Sequence, residues 1–201
     1  MSTDAVELLE RAIGYTRGTL LAASTTDLTL PTPCSEWNLG ELLEHMSDGL
    51  DAFTEASTGL IGPYPIPVSE PTPVGVLFDK ACALLGAWTS PAAVVVRLGD
   101  RGLAGDTVLH TAALEIAVHG WDVARSTRRT TPIPDGLAAD LLLPAYALVD
   151  ASDRGSRFAP CVTVGDGSTA ATRLLGFLGR DDAITGVSGG PIRPGRRTPF
   201  G

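Results

Sequence analysis

From Thr107 to Ala124 the chain carries not one lysine or arginine, and apolar side chains recur on every side of the helix that this stretch predicts. A helix that is apolar all round has no solvated face, so the element over residues 106–127 belongs at the centre of the fold with other helices packed around it. The same helix carries Glu115, His119 and Asp122. A carboxylate buried without a partner is strongly unfavourable, and the stretch from Thr107 to Ala124 offers no cation of its own. Glu115 and His119, four residues apart, stand one turn above each other with β-carbons about 5–6 Å apart, so both can reach one ion. A divalent metal would supply the missing charge. Asp122 follows on that face, either accepting a hydrogen bond from a ligand histidine or bonding within the helical bundle. His110, turned about 140° from Glu115 around the helix, reads as a packing or surface residue.

The other elements supply neighbours for this helix. Residues 5–23 place Val6, Leu9, Ile13 and Leu20 on one stripe, with Asp4 and Glu7 in the relation of a capping box. Asn38 and Glu41 repeat that relation before Leu39, Leu42, Leu43, Met46, Leu50 and Phe53, which predicts a second helix with acids on its outer side and His45 between the two faces. The stretch Ile61 to Pro73 holds five prolines and reads as a long connection. A third helix is expected over Val74 to Trp88, ended by Pro91. Ala93 to Leu98 followed by Gly99 to Gly105 fits a small β excursion or an extended crossover. Asp135 is expected to cap a fifth helix that runs to about Ala151 and is kinked by Pro144, and a last short helix fits Ser168 to Leu178. The glycine, proline and arginine content from Arg180 onward predicts a poorly ordered tail. One helical domain over residues 1–182 and a flexible tail over 183–201 follow.

Composition bounds the function. At 201 residues with 44% apolar and 19% charged side chains, the chain suits one compact all-α domain. A formal charge of −8 opposes attachment to nucleic acid or anionic membrane and favours a small-molecule partner. The opening MSTDAVELLE lacks the basic and apolar pattern of a secretory signal, and no apolar run approaches the ~20 residues of a membrane span, so a cytoplasmic protein, monomer or homodimer, is expected. Cys34, Cys82 and Cys161 are widely spaced and read as buried free thiols. Trp37 and Trp121 read as core aromatics. Gly99, Gly102 and Gly105 lack the spacing and lysine of a phosphate loop.

His45 comes from a second capped helix and can add a third ligand to Glu115 and His119. Two imidazoles and one carboxylate suit zinc, with iron or nickel as alternatives, and three protein ligands leave a fourth position for water or substrate. With Zn²⁺ such a site carries a formal charge of about +1, which favours an anionic fourth ligand such as hydroxide or thiolate. The pocket is expected to draw on Ile61 to Pro73 and Ala92 to Gly105.

Leu30-Pro31-Thr32-Pro33-Cys34-Ser35-Glu36-Trp37, followed by Leu42-Leu43-Glu44-His45, resembles the N-terminal signature of DinB-like metal-binding proteins related to mycothiol-dependent maleylpyruvate isomerase. Glu115 to Ala124 resembles the family's E-x-x-x-H-G-W-D segment, and Leu175 to Asp181 its leucine-rich G-R-D ending. The resemblance implies a four-helix core with additional short helices and a zinc ion on His45, Glu115 and His119. It further implies a thiol transferase or isomerase that binds mycothiol, bacillithiol or glutathione as a thiolate on the metal, a chemistry consistent with the lowered pKa of metal-bound thiols. The isomerase has a further C-terminal domain that residues after 182 are too few to form, so its particular activity is not carried over. A non-catalytic metal or ligand sensor, a hydrolase or cyclase using bound hydroxide, and a purely structural bundle are the alternatives.

Overall fold

The structure, a computed structural model, describes residues 3–34, 37–62, 73–89, 92–155 and 158–182. Among these, six α-helices and a three-stranded sheet account for the regular structure. The helices are α1 (Thr3–Ala23), α2 (Leu39–Ala56), α3 (Val74–Thr89), α4 (Gly105–Ser126), α5 (Asp135–Leu148) and α6 (Ala170–Phe177). The strands are β1 (Leu60–Ile61), β2 (Val95–Leu98) and β3 (Arg101–Ala104).

α4 is the central element. Its residues Val108, Leu109, Ala112, Ala113, Ala117, Trp121 and Val123 are all buried, and α1, α2 and α5 pack against it. α3 closes the group by packing on α1 and α2. The closest approach is between α1 and α4: Thr16 Oγ1 donates to the Ile116 carbonyl at 2.8 Å, and a β-carbon added at Gly120 would stand 2.3 Å from the same oxygen. Gly120→Ala must therefore push the helices apart, and overpacking of this kind typically destabilises by about 1–3 kcal/mol. A urea titration is expected to show that loss, whereas an unchanged midpoint would contradict so tight a crossing.

The start of α2 follows its sequence closely. Asn38 Oδ1 accepts from the Glu41 amide at 3.0 Å, and Glu41 Oε2 accepts from the Asn38 amide at 2.9 Å, a complete capping box. α1 begins earlier than expected, which puts Asp4 inside the helix rather than at its cap. The β excursion is a hairpin of β2 and β3 that turns through Gly99 at φ 60°, a left-handed conformation natural to glycine. β1 pairs parallel to β2 and was not foreseen, since two residues of strand leave no periodic pattern to read.

The last elements depart from expectation in detail. Pro134 rather than Asp135 precedes α5, so Asp135 is already helical, and its Oδ1 accepts from the Ala171 amide of α6 at 3.1 Å. α5 ends at Leu148, and Ala151–Asp153 form a separate 3-10 turn that Asp150 caps. Pro144 lies within α5, as expected. Thr169 Oγ1 caps α6 by accepting from the Thr172 amide. The expected flexible tail, 183–201, and most of the proline-rich connection, 63–72, lie outside the described residues. No described helix is long and apolar enough to cross a membrane.

Candidate metal centre

Helical spacing on α4 brings His119 Nε2 to 3.1 Å from Glu115 Oε2. From α2, His45 Nε2 reaches the same carboxylate oxygen at 3.7 Å. All three side chains offer a donor atom within 4.8 Å of the other two. Tetrahedral zinc with bonds of 2.0–2.2 Å holds its ligand atoms about 3.4 Å apart, and the two measured separations fall either side of that value. The donor set and these two spacings therefore suit a zinc ion, with the donor atoms of the two histidines within 4.8 Å of each other.

These three residues form part of the wall of a cavity of about 440 Å³ enclosed by α1, α2, α3 and α4. Ala92 to Gly105, expected to line the pocket, do not reach it: the hairpin instead pairs with β1 beyond the end of α2. His110 is likewise absent from the lining and is half-buried elsewhere on α4.

Behind the centre, His119 Nδ1 lies 2.9 Å from Asp122 Oδ2, and Asp122 is fully buried. A proton on Nδ1 shared with that carboxylate leaves the Nε2 lone pair facing Glu115, the tautomer a metal ligand needs. The counter-charge that Thr107 to Ala124 do not supply comes from a distant part of the chain. Arg180 returns from beyond α6, its side chain 10% exposed, and donates through Nε to Asp122 Oδ1 at 3.0 Å and through Nη2 to Oδ2 at 2.8 Å. Arg125 and Asp182 form a second ion pair between the same two segments. Residues 180–182 are thus part of the fold rather than of a solvated tail. Asp122 both holds the His119 ring and bonds within the bundle, so the two roles open at the sequence level coexist.

Trp37 packs against the core from its edge and also reaches the centre. Half-buried just before the Asn38 cap, its indole stacks on the His45 ring with centroids 4.3 Å apart and lies 5.9 Å from His119. It fixes the imidazole plane and covers one side of the centre. Trp121 is buried as expected. The thiols are not uniformly buried: Cys34 is half-buried, while Cys82 and Cys161 are exposed. Cys82 sits on the cavity side of α3, where no helix packs over it.

Protons and metal would compete here. Burial disfavours the His119 imidazolium, but hydrogen bonds to Asp122 and Glu115, with their charges, outweigh it and hold the pKa at about 9 against an ordinary 6.5. Burial likewise disfavours ionised Glu115 and Asp122, yet His119 and His45 around the first, and Arg180 and His119 around the second, hold both carboxyls below their ordinary range. A raised imidazole contributes stability that is complete below pH 6.5 and lost as pH climbs through about 9, whereas the depressed carboxyls contribute stability lost in acid. Chelated protein should therefore be most stable near pH 5 to 6.5 and lose about 2–3 kcal/mol by pH 9. Zinc must displace the His119 proton, so its affinity should rise over the same interval. Urea unfolding at pH 6 and pH 9, with chelator and with zinc, checks both signs. A chelated stability that stays flat would contradict the charged pair.

No family model matches the chain, and no solved structure matches it. Two proteins of Mycobacterium tuberculosis, one from each of two strains and both described only as uncharacterized, are each 29% identical to it over 158 residues, covering 75% of this chain and 83% of theirs.

Proposed function

We propose that α1 to α4 form a DinB-like four-helix metal-binding bundle, and that His45, Glu115 and His119 hold one zinc ion at which a low-molecular-weight thiol such as mycothiol is activated. The observation that carries this reading is the meeting of three donor side chains from two helices in the wall of a cavity roomy enough for a small molecule. A bound zinc ion would supply Lewis-acid chemistry, holding the thiol as its thiolate at neutral pH for attack on a small electrophile. The chain's own residues do the positioning. Asp122 and Arg180 fix the His119 ring, Trp37 fixes that of His45, and α1 to α3 supply a mainly apolar wall for the body of a substrate. Within the described residues no other cluster of histidines, cysteines and acids is arranged to hold a metal.

The test is turnover of an electrophile panel by zinc-loaded protein with mycothiol, bacillithiol or glutathione. Turnover that needs both zinc and a thiol and is lost in Glu115→Ala is the expected result. Turnover without any thiol would replace this reading with hydrolytic chemistry. Stoichiometric metal with no turnover of the panel would favour a sensor.

A further inference from the structure

The cavity wall is mainly apolar, yet it holds a cation the metal reading leaves unused. Arg17 on α1 lines the cavity, with its guanidinium carbon 5.5 Å from the ring centroid of Phe78 on α3. It is the sole lysine or arginine among the lining residues, and no described residue hydrogen-bonds or ion-pairs with it. Stacking on an aromatic face holds the planar fork of an arginine in place while leaving its edge N–H groups free. Those groups are five donors arranged to suit a planar anion.

We propose that Arg17 is the anchor for an anionic group of the ligand, so that this cavity takes small, largely apolar molecules bearing a carboxylate or a similar anion in preference to neutral ones. The proposal rests on the reading of the cavity as the ligand site, but not on its metal. With 15 basic and 23 acidic residues the chain carries a formal net charge of −8, which disfavours anions in general, and Arg17 is the arginine that stands beside this apolar wall. Asp79 reaches the same rim, but it is exposed to solvent, so its repulsion is screened, whereas a carboxylate on the guanidinium edge gains a direct charge-assisted bond. The body of the ligand would lie along Leu20, Leu50 and Phe53.

Isothermal titration of chelator-treated protein with 4-phenylbutyrate and with 4-phenylbutan-1-ol tests this without any metal in play. The acid is expected to bind wild type about tenfold more tightly than the alcohol, the scale of one charge-assisted hydrogen bond. Arg17→Met should remove the preference and Arg17→Lys should keep part of it. Because Arg17 is exposed, both variants should melt like wild type. Equal binding of acid and alcohol, a preference that survives Arg17→Met, or no binding of either ligand would overturn the proposal. Zinc content measured on the same preparations reports on the metal reading separately.

Discussion

Replacing Arg180 with methionine is expected to lower the free energy of unfolding by about 3–5 kcal/mol, far beyond what loss of a surface ion pair would do. Asp122 is fully buried, and Arg180 meets both of its oxygens. Removing the arginine leaves that carboxylate with His119 as its remaining charged partner, in surroundings that cannot solvate it. The carboxyl should then take up a proton more readily or draw in water, and either response loosens the His119 ring. Arg180→Lys should fall between, because an ammonium cannot reproduce the two-point contact. Combining Arg180→Met with Asp122→Asn should recover much of the loss, since removing both charges is far milder than stranding one. A loss below about 1 kcal/mol in the single variant would place this pair among ordinary surface contacts.

The second large effect concerns the ion itself. A ligand that binds only the folded state stabilises it by about 2.7 kcal/mol when present at a hundred times its dissociation constant. Zinc is therefore expected to raise the unfolding free energy of wild type by at least that amount at saturating concentration. Glu115→Ala should abolish the increment, because Glu115 Oε2 is the atom that both His45 and His119 approach. Without zinc the same variant separates two roles. If Glu115 matters chiefly as the partner of a charged His119, its loss should be felt more at pH 6 than at pH 9. An equal zinc response in wild type and variant would remove Glu115 from the ligand set.

Much of this arrangement was legible in the residues, for identifiable reasons. α4 is visible because the lack of cations from Thr107 to Ala124 and the apolar circumference are local properties of one segment. α2 was visible because a capping box is a spacing rule that needs no tertiary contact. The meeting of His45 with Glu115 followed from two such helices and from the need to place a buried charge. What escaped notice depends on the return of distant chain. Arg180 lies 58 positions from Asp122, and the glycine-rich composition after it suggested a loose tail, although the G-R-D ending had already been singled out. Trp37 reads as a core aromatic and does pack at the edge of the core, but its stacking on His45 depends on the path of the chain into the Asn38 cap. Asp135 has a side chain typical of a cap, but the helix starts at its own position and frees the carboxylate to bind the first turn of α6. Loops often border sites, and the sequence places Ala92 to Gly105 on the pocket, whereas its described lining comes from α1 to α4.

Metal content per chain is the most direct measurement of the central claim, taken by elemental mass spectrometry on tag-free protein alongside His45→Ala and Glu115→Ala purified identically. Near one zinc per chain in wild type and near none in either variant is the predicted result. No bound metal in wild type even after zinc is supplied, or equal metal in all three proteins, would contradict it and leave Glu115, His119 and His45 as a partly buried polar cluster.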